Sequence, residues 1–336
     1  MSLGIVVNKL SLLYRVVLSL VLILLFPILS PAKSLTVATI NIGMLDFYES
    51  VPFFEQRQKA LGEEVSKTIK QHDIDILSIQ EMFSKKSKEI LSKVDPNYEL
   101  LSVGGDAWLR PFTDHPTGLA FLVKKSLQGK VSFKDFKVRE SVLCGFGQIC
   151  DRGLLIYQYN DLVIINTHYT SGSSGRNIRV QQIDESIELI SKSLRDENIK
   201  AVIFSGDLNY SPTFGEMRKT DKGSKKDFEE NSKLYHSFFS KAQSKNLICK
   251  DSYQETSMNL FKFTYDREEN LLPLKKPESS YGPSQKVDHI FICGSTENWK
   301  VVSQKRIFDQ SFESPELDHS IHISDHFGVL SAIELE

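Results

Sequence analysis

Short apolar runs that stop on a chemically capable polar residue recur along this chain, and they constrain its fold more than any other feature. Residues 35–40 run into Asn41, 74–79 into Gln80-Glu81, 163–167 into His168, and 201–204 into the stretch holding Asp207 and Asn209. Asp288 lies inside the run 286–293, and Asp325-His326 stand just before the last run, 327–335. Runs of this length, rich in Val and Ile and bounded by acidic or turn residues, read as buried strands. Amphipathic stretches separate them. Residues 54–71 place Leu61, Val65, Thr68 and Ile69 at helical spacing, and 179–194 place Ile183, Ile187 and Ile190 on one face. Residues 119–123, 153–159 and 162–167 are further strands, the last two joined by Asn160-Asp161 as a tight hairpin. Helices interspersed with strands, at least one pair of them antiparallel, predict an α/β chain built on mixed sheets.

The chain has 336 residues, 40% hydrophobic and 25% charged, a composition able to fill a sizeable core. Its 41 basic and 43 acidic side chains leave a net charge of −2. That excludes a global attraction to nucleic acid or to an anionic membrane, though not a local basic patch. No repeat, low-complexity tract or Pro/Gly linker divides residues 33–336, which read as one domain. Residues 1–32 differ. Lys9 and Arg15 precede an apolar run, 16–29, which ends in Ser30-Pro31-Ala32. A basic flank, a short apolar centre and small residues make a secretory signal peptide. The run is shorter than the ~20 residues of a membrane-crossing helix, which weighs against a retained anchor. The expectation is a secreted or periplasmic protein, cleaved near Ala32.

Export places Cys144, Cys150, Cys249 and Cys293 where disulfides persist. All three pairings are open. The short Gly145-Phe146-Gly147 stretch makes a local Cys144–Cys150 staple one candidate, and four buried thiols are the alternative. No CxxC pair or matched His pair marks a zinc site. The lysine- and acid-rich segment 219–233 shows no apolar period and reads as an exposed loop.

The polar residues at the strand ends form a chemically coherent set. Asn41, Glu81 and Asp325 are hard oxygen donors suited to Mg²⁺, with Mn²⁺ or another divalent cation as substitutes. His326 and His168 exchange protons near neutral pH. Asp288 is a carboxylate able to orient a histidine, and Asp207 with Asn209 can position a water and a phosphate oxygen. Each residue alone has an ordinary structural explanation, a turn or a hydrogen-bonded strand end. Together they are what metal-assisted attack of water on a phosphodiester requires.

The segments Thr39-Ile40-Asn41, Ile79-Gln80-Glu81, Asn166-Thr167-His168, Ser205-Gly206-Asp207-Leu208-Asn209, Lys286-Val287-Asp288-His289 and Ser324-Asp325-His326 resemble, in order, the motifs of the endonuclease/exonuclease/phosphatase superfamily. The resemblance spans residues 35–335. It implies the DNase I-like fold, a four-layered α/β sandwich of two packed mixed β-sheets flanked by helices. It also implies roles: Glu81 as main metal ligand with Asn41 and Asp325, and Asp207 and Asn209 aligning water and phosphate. His326, paired with Asp288, would be general base or charge stabiliser, and His168 would contact the phosphate.

Within the superfamily the chain is most similar to neutral sphingomyelinases. Gly206-Asp207-Leu208-Asn209-Tyr210-Ser211-Pro212, Arg179-Val180-Gln181-Gln182 and Phe263-Thr264-Tyr265-Asp266 with Asn270 and Pro273 carry that likeness. It departs from them in having Arg152 where a Lys is usual and His289 where a Tyr is common. The implied activity is hydrolysis of sphingomyelin, a choline-phosphodiester lipid, to phosphocholine and ceramide at a membrane surface, with no obligate protein partner. Arg152 and Trp108 are candidate substrate contacts, Trp108 at the lipid interface. The alternatives are a secreted nuclease, for which Arg110, Arg152, Arg176 and Arg179 would meet nucleic-acid phosphates, and an inactive binding module of the same fold.

Overall fold

The structure, a computed structural model, describes residues 33–44, 53–103, 117–138, 142–145, 148–150, 152–217, 219, 223–255, 263–266, 269–270, 272 and 282–335. The leader, residues 104–116 with Trp108 and Arg110, and the side chains of Cys144 and Cys150 lie outside the description. The expectations placed on them lie outside as well.

Two six-stranded mixed sheets make the body of the molecule. In the first, β1 (Lys33–Met44) and β2 (Ile76–Met82) run parallel at the centre. They are flanked by β14 (Gly328–Leu335) and β13 (Trp299–Ile307) on one side and by β4 (Ala120–Lys124) and β3 (Tyr98–Ser102) on the other. In the second, β9 (Leu162–His168) and β10 (Ala201–Asp207) are the parallel central pair. Their neighbours are β12 (Asp288–Gly294) and β11 (Cys249–Asp251), then β8 (Gly153–Tyr159) and β5 (Lys130–Asp135). β8 and β9 form the hairpin expected at Asn160-Asp161, with Asn160 at φ 51°. A separate two-stranded ribbon joins β6 (Val142–Gly145) to β7 (Gln148–Cys150).

Strand alternation sorts the side chains into layers. Leu35 and Val37 of β1 pack between the sheets against Ile203, Ile290 and Ile292. The intervening Ala38 and Ile40 face outward onto α1 (Phe54–Gln71), meeting Leu61, Val65 and Ile69. On the second sheet Val163, Ile165, Val202 and Phe204 face α3 (Arg176–Leu194) and α4 (Lys225–Ser244), meeting Ile183, Ile187, Ile190 and Phe238. The short α2 (Lys85–Leu91), capped by Ser84, packs beside α1. At roughly 1.5–3 kcal/mol per fully buried aliphatic or aromatic side chain, these three apolar layers are the main stabilising contribution. The result is the four-layered α/β sandwich that the sequence resemblance implied.

One finding departs from the expectation drawn from sequence, and another decides between alternatives left open there. The segment expected to be a loop over 219–233 instead enters α4 at Lys225, with Ser224 and Asp227 forming a reciprocal capping box. Its first turns are polar because they lie near the surface. The apolar face lies mostly further along, at Leu234, Tyr235 and Phe238, which are buried with Phe228. Second, Cys249 and Cys293 sit directly opposite each other on β11 and β12 and are joined as a disulfide.

Candidate active site

The inter-sheet layer changes character along the strands. Beyond the apolar middle, Ser78 and Ser205 hydroxyls meet across the sheets at 2.8 Å. One step further, Gln80 Nε2 donates to Asn166 Oδ1 at 2.7 Å and to Thr39 Oγ1 at 3.0 Å. Asn166 Nδ2 then donates to the Ile79 and Ala120 carbonyls. Buried polar groups are costly unless paired, and these rows are cross-linked. They brace the two sheets where the next residues on the same face open onto the site.

That next row holds the sequence candidates. The register of the second sheet places His168, Asp207 and Asp288 side by side on three neighbouring strands. Asn41 lies near the end of β1, and its Nδ2 crosses between the sheets to Asp207 Oδ2 at 3.0 Å. Asp325 and His326 arrive from the turn before β14. Ser324 holds this turn by donating Oγ–H to the Asn41 carbonyl and accepting from His326 N–H at 3.1 Å. Gly206 permits the close packing beside Asp207, because at φ 144° an added Cβ would meet the Thr167 carbonyl oxygen at 1.9 Å.

Glu81 reaches the site by a different route. Strict alternation after Gln80 would aim it at the helix layer, but its φ of 56° breaks the alternation. A left-handed conformation is strained for a residue with a side chain. Asn209 shares it at φ 51°, while its N–H donates to Asp207 Oδ1 and its Nδ2 to the Tyr169 carbonyl. Two of the candidate residues are therefore held in left-handed backbone by surrounding contacts.

The electrostatics divide the site in two. His326 Nδ1 pairs with Asp288 Oδ2 at 2.9 Å, and its Nε2 lies 3.9 Å from Asp207 Oδ2. Burial opposes charge on this ring, but Asp288, Asp207 and Asp325 outweigh it and hold its pKa well above the ordinary histidine value. Asp207 is pushed up to about 7, by burial first and then by Asp288, against the opposing pull of His326 and hydrogen bonds from Asn41 and Asn209. His168 has its Nε2 3.4 Å from Asp207 and 3.8 Å from Glu81. Burial, then the cations of Arg152 and His326, hold it well below its usual value and so neutral. Buried Arg152 donates to the His168 carbonyl at 3.4 Å, and its charge also acts on Glu81.

On the opposite side, Glu81 is raised by burial and next by the like charge of Asp325, with Arg152 and an Asn41 hydrogen bond opposing. A divalent cation relieves the like charge that Asp325 presents to buried Glu81, so the donor set fits Mg²⁺. Asp207, Asp288 and His326 also offer ligand atoms within 4.8 Å of one another. There the proton competes: a histidine must lose it to ligate a metal, and His326 is held charged against Asp288. The Glu81–Asp325 side is therefore the better cation site.

The structure also brings in residues to which the sequence reading gave no role. Thr264 Oγ1 accepts from the N–H groups of Val287 and Asp288, fixing the start of β12. Asn270 Nδ2 donates to the Ser324 carbonyl at 2.8 Å. The Tyr265 ring lies 5.5 Å from the His326 ring. A cavity of about 430 Å³ opens beside His326, lined in part by Asn209, Asn231, Phe228 and Tyr265. The segment 263–270 was visible as a motif, but its contacts depend on chain reversals that no local pattern shows.

Two mixed sheets whose neighbouring strand ends gather carboxylates, carboxamides and histidines at one site define the hydrolytic phosphoesterase class of α/β sandwich. The model of the Endonuclease/Exonuclease/phosphatase family matches residues 38–326, and the chain belongs to that family. Truncated TDP2 from Caenorhabditis elegans is similar in fold, with a TM-score of 0.60 at 20% identity over 90% of this chain and 98% of that one. D. rerio TDP2 complexed with single strand DNA product gives 0.60 at 16% identity, covering 90% and 99%. A mannosyl-6-phosphatase from Bacteroides thetaiotaomicron gives 0.58 at 18% identity, covering 89% and 99%. At these identities the likeness is one of fold. No curated protein matches the sequence.

Proposed function

We propose that this chain is an exported, Mg²⁺-dependent phosphodiesterase that hydrolyses a choline-phosphodiester lipid such as sphingomyelin to phosphocholine and ceramide. The observation that carries the hydrolytic reading is the convergence of the Glu81–Asp325 carboxylates with the Asp207–Asp288–His326 cluster, His168 Nε2 lying 3.8 Å from Glu81 and 3.4 Å from Asp207. Asp207, with a pKa near 7, accepts the proton of the attacking water while Asn209 and Asn41 hold its carboxylate. A base poised near the working pH suits general base catalysis. Charged His326, kept so by Asp288, faces the negative charge that develops on phosphorus oxygens and supplies a proton to the departing alkoxide. Neutral His168 and the nearby Arg152 cation add hydrogen-bond donors to the same oxygens. A divalent cation held by Glu81 and Asp325 would supply Lewis-acid stabilisation of the phosphoryl group.

The choline headgroup draws on the sphingomyelinase-like segments and on the cavity beside His326, whose lining includes Phe228 and Tyr265, aromatic residues of the kind that attract a quaternary ammonium. Export draws on the leader and on the Cys249–Cys293 disulfide, a bond that persists in oxidising compartments. Nucleic acid is the second reading, favoured by the Arg152 cation beside His168 and by the DNA-bound D. rerio relative in fold. The test is phosphocholine release from sphingomyelin vesicles with Mg²⁺ and with EDTA, run beside plasmid nicking and phosphate release from mannose 6-phosphate. Metal-dependent release in the vesicle arm alone is the expected result. Nicking without release moves the substrate to nucleic acid, and silence in every arm overturns the hydrolytic reading.

A further inference from the structure

Arg57 is buried in the first turns of α1, with 2% of its surface exposed. Its guanidinium makes its bonds to main-chain carbonyls: Nε to Ile323 at 2.7 Å, and one terminal nitrogen to Ile42 at 2.6 Å and Gly43 at 3.3 Å. These carbonyls are not arbitrary. Ile42 and Gly43 lie where the β1–β2 ladder loses register, directly after Asn41. Ile323 directly precedes Ser324-Asp325-His326. One side chain thus ties the end of the strand carrying Asn41 to the turn carrying Asp325. Lysine would reach one such carbonyl as a point donor, whereas the planar fork spans all three.

Burying a guanidinium against neutral carbonyls is costly, and the charge has a use here. Arg57 lies within electrostatic reach of both Asp325 and Glu81. It offsets the repulsion that would otherwise push these carboxylates apart before a cation arrives. Gly43 marks how closely the parts fit. At φ 56°, a Cβ added there would lie 3.0 Å from the Arg57 guanidinium and 3.1 Å from Asp325 Oδ1.

We propose that Arg57 is the positioning residue of the cation site, holding Asn41 and Asp325 at the spacing a divalent cation needs beside Glu81. The proposal rests on the reading of Glu81 and Asp325 as cation ligands. Outer partners of this kind typically change metal affinity by about 10–100-fold when removed. The experiment is calorimetric titration of Mg²⁺ into the purified, EDTA-stripped chain and into Arg57→Lys, Arg57→Met and Gly43→Ala, with circular dichroism as the check on folding. Arg57→Lys keeps the charge and loses the fork, so a weakening of about tenfold or more in it, matched by Arg57→Met, is expected. Gly43→Ala wedges the same contact from outside, and it should weaken Mg²⁺ binding even if the Arg57 variants unfold. A folded Arg57→Lys chain that binds Mg²⁺ within about threefold of the wild type overturns the role given to Arg57 alone. No Mg²⁺ binding by the wild type overturns that role and the cation reading together.

Discussion

Replacing Asp288 by Asn tests the Asp288–His326 pair most directly, because the side chain keeps its shape and loses only its charge. In the native site Asp288 is fully buried, His326 nearly so, and Nδ1 meets Oδ2 at 2.9 Å. Solvent screening therefore does little to discount the interaction. A hydrogen bond to a charged group contributes about 1.5–3 kcal/mol net. Losing it from the transition state slows turnover by about 10- to 150-fold, at 1.36 kcal/mol per factor of ten. Asp207, 3.9 Å from Nε2, remains as a weaker partner and pulls the loss toward the lower end. The asparagine amide can also donate to Nδ1, which would hold the ring neutral, strip it of the charge and acidity its role needs, and pull the other way. Initial rates of phosphocholine release from sphingomyelin with saturating Mg²⁺ measure the effect, because an alkoxide leaving group needs the proton. The double variant with His326→Ala supplies the decisive comparison. His326→Ala alone should cost about 10²–10⁴ in rate, and adding Asp288→Asn should then cost almost nothing, because its partner is gone. Two losses that multiply, or an Asp288→Asn enzyme at wild-type rate, would refute the pairing as the source of His326 function.

Three further outcomes follow from the same geometry. Glu81→Gln should lower Mg²⁺-dependent turnover by roughly two orders of magnitude or more and abolish the rise in Tm on adding Mg²⁺; an undiminished Mg²⁺ shift would remove Glu81 from the ligand set. For the metal-free chain, His326 and Asp207 both have raised pKa values, so the folded state binds more protons than the unfolded state and stability falls as pH rises through those values. His72, His168, His289 and His322 are lowered and are already neutral in both states above about pH 7. In EDTA, Tm should therefore decline through Asp207 as pH rises toward about 7 and go on declining above about pH 7 through His326, with a flatter profile above about pH 7 in His326→Ala; a flat wild-type profile would contradict the assignment. Reducing Cys249–Cys293, which closes a 44-residue separation, should lower unfolding free energy by about 4 kcal/mol in the chain-entropy account. Urea midpoints of the wild type and of Cys249→Ala/Cys293→Ala measure this, and coincident midpoints would show the loop entropy to be offset elsewhere.

The sequence made the body of the fold legible wherever a period of two or of 3.6 residues met a buried face. The β8–β9 hairpin and the helix over 54–71 emerged as read, because turn chemistry and apolar spacing agreed there. The same alternation explains why Asn41, His168, Asp207 and Asp288 could be singled out. They continue the inward-facing set of residues past the point where the apolar layer ends, so the face that builds the core also aims the chemistry. What escaped was whatever depends on a break in that rule. Glu81 was found as a motif, but its aim comes from a left-handed backbone that its own sequence does not announce. α4 begins with turns polar enough to pass for a loop, although Ser224 and Asp227 are spaced for the capping box they form. Arg57 lies in the amphipathic stretch 54–71, whose apolar period says nothing of it. Only the folded chain shows that it turns inward to three carbonyls from two distant segments, and a long-range contact to main chain leaves no periodic signal in either partner. The candidate site residues were thus easier to read than those that hold them in place, because the former end a regular pattern and the latter interrupt one.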